Sequence, residues 1–142
     1  MFNIRQATLD DLPQLLDMGE RFVNHYGHFS FDAPTVLSML VNLVQHHHVI
    51  VAEEDGVLFG MIGAMVIPNM WNKNDLLFQE LFWWVNEDHR DGSAGIRLLL
   101  AMHKQAPVGA KKVLSVLPNT NFKDKTLAKL GYKLTEMAYA KE

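Results

Sequence analysis

The segment Leu76-Leu77-Phe78-Gln79-Glu80-Leu81-Phe82-Trp83-Trp84-Val85 constrains this chain most, because both faces separated by a period of two are apolar. Such a strand needs a layer on each side, which predicts a central position in a sheet covered twice. A polar turn follows it. From Ala94 to about Gln105 the apolar residues Ile96, Leu98, Leu99, Leu100 and Met102 then fall at helical spacing. A buried strand that turns through small residues into a helix aims the first free N–H groups of that helix outward together. They carry the positive end of the helix dipole, and a phosphate or diphosphate is their natural ligand.

The rest of the chain supplies the other layers. Phe2 to Ala7 alternates as a strand. Thr8 stands at a helix N-cap, with Asp10 and Asp11 in the first turn, and an amphipathic helix is expected over Leu9 to about His25. Asp32 or Ala33 opens a second helix with Pro34 in its first turn, ending near Gln45. Val49 to Ala52 and Val57 to Val66 read as strands joined by Glu54-Asp55-Gly56, a strong hairpin signal, and Gly60 and Gly63 suggest bulges or close approach. Pro68 to Asp75 reads as a loop. Lys111 to Leu117 is expected as a buried strand, Asn121 to Leu130 as a helix stopped by Gly131, and Tyr132 to Tyr139 as a last strand. The order β-α-α-β-β-β-α-β-α-β implies one mixed α/β domain over residues 1–142, long enough to bury a real core.

Composition excludes several classes. The net charge is −3, so nothing advertises a general nucleic-acid surface. There is no cysteine, which removes disulfides, thiolate nucleophiles and thiolate metal sites together. No basic n-region with a long apolar run is visible, and no run is long enough to span a bilayer, so a cytoplasmic protein is expected.

Arg90-Asp91-Gly92-Ser93-Ala94-Gly95 resembles the acyl-CoA signature of the GCN5-related N-acetyltransferases (GNAT), (Gln/Arg)-x-x-Gly-x-(Gly/Ala), with Ser93 in place of the middle glycine. The likeness runs over nearly the whole chain. Ile4-Arg5-Gln6-Ala7-Thr8-x-x-Asp11 resembles the family's opening, Glu54-Asp55-Gly56-x-x-x-Gly60 its second and third strands, and Lys129-Leu130-Gly131-Tyr132 its Lys-Leu-Gly-Phe ending. The short, tryptophan-rich fourth strand is also similar to acetyltransferase domains of bacteriophages.

The resemblance implies a mixed, mostly antiparallel sheet of six to seven strands with about four helices, splayed between the fourth and fifth strands to admit the pantetheine arm of acetyl-CoA. Backbone groups of Trp83 and Val85 are then expected to bond pantetheine amides. The turn from Arg90 through Asp91 and Gly92 leads to the amides of Ser93, Ala94, Gly95 and Ile96, expected on the pyrophosphate, with Arg90 and Arg97 adding charge at the rim. Asn119 or Asn121 is expected to touch the arm. The implied reaction is direct attack of an amine on the thioester of acetyl-CoA, the co-substrate, with no metal and no covalent enzyme intermediate. The acceptor is a small amine or a protein, and a homodimer is common in this fold.

Glu80 is the candidate general base, because a carboxylate in so apolar a strand is costly unless paired or useful. An ion pair or an exposed strand end remains the competing account, and the register may instead present Gln79 to the cleft. The family's usual acid, a tyrosine four residues before the final glycine, is replaced by Leu127, and Tyr132 reads as core. That gap and Ser93 motivate the alternative of a non-catalytic GNAT-fold interaction module that retains CoA. His46-His47-His48 invites a metal, but three consecutive residues do not face one ion, and a solvated junction is the simpler account. His89 and His103 read as proton shuttles or, more simply, as surface residues. Phe29, Phe31, Met70 and Trp71 either border an acceptor pocket or pack.

Overall fold

The structure is a computed structural model that describes residues 1–117 and 124–142. Strand β1 (Asn3–Gln6) leads through a single 3-10 turn (Leu9–Asp11) into helices α1 (Leu12–Tyr26) and α2 (Ala33–His46). Strands β2 (His48–Glu54), β3 (Val57–Asn69) and β4 (Asn72–Val85) follow. After a second 3-10 turn (Glu87–His89) come α3 (Ala94–His103), β5 (Lys111–Val113) and α4 (Asp124–Lys129). The described strands form one sheet in chain order β1-β2-β3-β4-β5, antiparallel except for the parallel pair β4 and β5.

Helices cover both faces, and the strand sequences show why. Val49 and Val51 of β2 pack with Leu15, Met18, Leu40 and Leu43 of α1 and α2, while Ile50 and Ala52 pack with Leu98, Leu99 and Met102 of α3. Successive side chains of a strand point to opposite faces, so a run without polar residues needs both layers. Each fully buried leucine or isoleucine here stabilises the fold by roughly 1.5–3 kcal/mol. Gly60 lets α3 approach closely, because a Cβ there meets Leu98 Cδ1 at 3.1 Å and the Trp84 carbonyl at 3.3 Å.

The opening turn is fastened by charge. Arg5 donates to both carboxylate oxygens of Asp11 (2.8 and 2.9 Å) and its Nε to Glu53. Thr8 N–H also donates to Asp11 Oδ2 at 2.8 Å, the return half of a capping box. Asp11 is 5% exposed, and its hydrogen bonds from Arg5 hold its carboxyl below the usual carboxylate range. Asp11→Ala is expected to lower stability by about 2–3 kcal/mol, because Arg5 loses a forked partner and Thr8 an acceptor. A carboxyl with a depressed folded pKa stabilises the fold above its unfolded pKa and ceases to as pH falls through the folded one. The difference in denaturant midpoint between Asp11→Ala and wild type should therefore be full at pH 7 and shrink below about pH 4.

Four expectations need correction. The sheet has five described strands rather than six or seven, because Tyr132 to Tyr139 joins no strand and Leu134 and Tyr139 are exposed. The fifth strand is three residues long, not the buried Lys111–Leu117, and its lysines face solvent. Pro68–Asp75 is largely not a loop: β3 and β4 continue as a two-stranded arm to a turn at Met70-Trp71. Pro68 is tolerated because β3 lacks a β2 partner beyond Ala64, so its missing N–H breaks no ladder on that edge. Met70 and Trp71 at the tip are exposed rather than packed, as is Phe29.

Candidate active site

The site lies where β4 and β5 part. Their ladder consists of Leu77–Lys111, Phe78–Lys112 and Gln79–Val113. Beyond Gln79, β4 runs on to Val85 in its ladder with β3. Asn86 N–H donates to the Phe59 carbonyl on the β3 side (2.8 Å), and this fixes the phase of the strand. Backbone groups alternate edges along an antiparallel strand, so those of Val85 and Trp83 face away from β3. The Val85 carbonyl accepts there from Arg90 Nε at 2.7 Å.

One extra residue in β4 decides what enters the cleft. Gly63 stands opposite Phe82 and Ala64 opposite Glu80, so Leu81 is a bulge. Without it, Glu80 would share a face with Phe82 and Trp84, which lie in the core under α1 and α2. With it, Glu80 joins the α3 face beside Phe78 and lines a narrow cleft with His103, Lys112, Val113 and Tyr132. Gln79 is not among the lining residues; its amide donates to the Glu80 carbonyl at 2.9 Å. The Glu80 carboxylate accepts from Ser115 N–H at 3.0 Å, spanning the fork just past the end of β5. Among the described residues no lysine or arginine pairs with it. Burial pushes its pKa up to about 7, against the opposing pull of the Ser115 hydrogen bond. The side chain is thus divided between its two protonation states near neutrality, which suits a general base.

The other end of the fork is the turn into α3. Ser93 takes the N-cap position and its carbonyl accepts from Arg97 N–H at 3.0 Å, so the helix begins at Ala94. The amides of Ala94, Gly95 and Ile96 precede the first intrahelical donor and have no helical acceptor. Trp83 Nε1 donates to the Gly95 carbonyl at 3.1 Å, tying this first turn to β4. The donor set therefore fits a diphosphate. Asp91, Gly92 and Ser93 are exposed beside it. The arginines beside the turn also make contacts within the chain. Arg90 uses its Nε on Val85 and lays its guanidinium 4.4 Å from the Trp84 ring centroid, and Arg97 lies equally close over Phe2. Both brace the turn. Asn119 and Asn121 lie outside the described residues.

Sequence reasoning missed a pair in the same cleft. Leu127, at the expected tyrosine position, is 8% exposed and packs as core. Gly131, at φ 90°, turns the chain back after α4, and Tyr132 N–H donates to the Leu127 carbonyl at 3.0 Å. That return brings the Tyr132 hydroxyl to 2.6 Å from His103 Nε2. The sequence signal was the pairing of an otherwise apolar helix ending in His103 with a tyrosine just after a helix-stopping glycine. Among the described residues, the histidine run included, no three His, Asp or Glu side chains are placed to share an ion. His47 caps α2, and His48 stacks near Phe78.

No family model matches the chain, and no curated protein matches it by sequence. Solved structures do match in shape. A predicted acetyltransferase from Clostridium acetobutylicum, solved with acetyl-CoA, superposes with a TM-score of 0.81 at 16% identity, over 100% of this chain and 96% of that one. The fold is that of the GCN5-related N-acetyltransferases. An AAC(6')-Iy complex with a bisubstrate analogue of CoA and acetylneamine gives a TM-score of 0.77 at 18% identity, covering 100% and 97%. A ribosomal-protein-alanine N-acetyltransferase from Brucella melitensis gives 0.74 at 16% identity, covering 100% and 99%. No helix among the described residues is long and apolar enough to cross a membrane.

Proposed function

We propose that this protein is an acetyl-CoA-dependent N-acetyltransferase that acts on a primary amine by direct attack in a ternary complex. The observation that carries the reading is Glu80, set by the Leu81 bulge at the fork between β4 and β5 with a pKa near neutrality. When bound, acetyl-CoA supplies the activated acyl group. The chain's own residues do the rest. The amides of Ala94, Gly95 and Ile96 hold the pyrophosphate, the edge of β4 that faces away from β3 at Trp83 and Val85 holds the arm, and Glu80 takes a proton from the amine, directly or through water. The three-residue β5 ladder lets the fork widen at little cost in hydrogen bonds. The acceptor is a small amine or a protein amine, and the protein works in the cytoplasm without a metal.

The alternative, a non-catalytic GNAT-fold module that retains CoA, draws on the burial of Leu127 where a tyrosine is usual. Calorimetric titration with acetyl-CoA, CoA and desulfo-CoA tests the shared premise. Gly95→Glu puts bulk and negative charge against the free amides. It is expected to weaken binding at least 100-fold, because the carboxylate competes with the diphosphate for the same donors. Equal affinity in the variant places the pyrophosphate elsewhere. Absence of binding by folded wild-type protein ends the enzyme reading. Turnover with an amine panel then separates enzyme from module.

A further inference from the structure

Glu80 accounts for one proton of the proposed reaction; the departing sulfur needs another, and the cleft holds a second pair of titratable groups. Its walls bring together four such residues, one from each element around it: Glu80 of β4, His103 of α3, Lys112 of β5 and Tyr132 after α4. The lining is otherwise apolar, and the enclosed space is about 10 Å³, on the order of one water. Both Tyr132 and His103 are partly buried there, and their 2.6 Å hydrogen bond fixes the phenol's direction.

We propose that Tyr132, held by His103, is the proton donor to the CoA sulfur as the thioester breaks. This inference rests on the acetyltransferase reading. The amine nitrogen forms its bond to the acetyl carbon and gives its proton to the Glu80 carboxylate. The C–S bond breaks with its electron pair on sulfur, the Tyr132 O–H bond breaks, and an S–H bond forms. The phenolate left behind recovers a proton from the Glu80 carboxylic acid, across the same cleft or through water. Both groups return to their starting states, and an entering neutral amine leaves as an amide with no net proton change. The direction of that last transfer follows from the acidities. Glu80 titrates at about 7, whereas burial, then the Glu80 charge, raises the phenol above its ordinary value. His103 is a positioning residue. Burial, then the charge of Lys112, lowers its pKa, so the imidazole is neutral near pH 7. The tautomer that serves donates Nε2–H to the phenol oxygen and leaves the phenol O–H free to turn into the cleft.

The absence of cysteine makes the test direct, because the thiol of bound CoA is the only thiol in the complex. Thiolate absorbance is followed against pH in the CoA complex, with the desulfo-CoA complex subtracted to remove tyrosinate. A phenol aimed at sulfur stabilises the thiolate by a charge-assisted hydrogen bond. Tyr132→Phe should therefore weaken the acidity of the bound thiol by roughly 10–100-fold. His103→Leu should act in the same direction, and His103→Gln, which keeps a donor, should restore most of the effect. Tyr132→Phe keeps the ring and its packing, and thermal melting of each variant checks the fold. CoA binding with a thiol titration unchanged by Tyr132→Phe overturns the inference alone. Absence of CoA binding by the wild-type protein overturns the acetyltransferase reading and this inference with it.

Discussion

Glu80→Gln is expected to lower kcat/KM for acetyl transfer by about 10²–10⁴, with acetyl-CoA affinity little changed. The substitution keeps the shape and the acceptor for Ser115 N–H but removes the group that takes the proton. Its pH dependence identifies the cause. The amine's own ionisation affects both enzymes alike, so the ratio of wild-type to variant rate isolates Glu80. That ratio should rise with pH through about 7, where burial places the carboxyl, and level off above it. Stability should move the opposite way. A carboxyl whose folded pKa is raised stabilises the fold fully below its unfolded pKa, and that contribution is lost as pH rises through the folded one. Glu80→Gln is thus expected to match wild type in stability near pH 4 and exceed it at pH 8, by on the order of 1–3 kcal/mol after allowance for partial exposure. A variant that retains activity within threefold and melts no higher at pH 8 would remove Glu80 from the mechanism.

That burial of the Glu80 carboxyl comes at a cost in stability explains why this residue stood out in the sequence at all. A carboxylate inside Leu76–Val85 violates the local pattern, and such violations collect at functional sites. The two covered faces, the hairpin at Asp55-Gly56 and the turn into α3 were legible for the related reason that period and turn chemistry agree there. Asp55 and Gly56 both take positive φ, as a tight hairpin of this kind requires. What could not be read was register. Whether Glu80 or Gln79 faces the cleft depends on one inserted residue, and a period of two carries no mark of where a bulge falls. The contacts of the arginines were not legible either: Arg90 and Arg97 meet Val85, Trp84 and Phe2, and nothing in the sequence pattern marks those partners. Tyr132 does pack against the core, as an aromatic after Leu130-Gly131 does by default; what could not be read is that the return of the chain onto Leu127 places its hydroxyl beside His103. The shortness of β5 follows in part from composition, because Lys111 and Lys112 are exposed and only Val113 of its three residues is half-buried.

Register also makes a stability prediction. Gly63 sits at the bulge, opposite Phe82, and a Cβ on it would lie 2.4 Å from two atoms of the Phe82 ring. The ring has nowhere to go, because Phe82 is 7% exposed and packed with Met61, Val51 and Trp84 beneath α1 and α2. Gly63→Ala is therefore expected to cost about 1–3 kcal/mol through overpacking, read as a fall in melting temperature of roughly 4–10 °C. Phe82 is separated from Glu80 by the bulge residue alone, so relief of the clash by a shift of β4 also moves the carboxylate. The wild-type limb near pH 7 should then be displaced in the variant, an effect that a loss of stability alone does not produce. A double-mutant cycle with Phe82→Leu, which removes the outer ring atoms, assigns the cause. Gly63→Ala should be distinctly less costly in the Phe82→Leu background, with a coupling of about 0.5–3 kcal/mol. Additive costs would mean that the ring is not what forbids a side chain at residue 63, and the bulge would have to be held by the strand's hydrogen bonds instead.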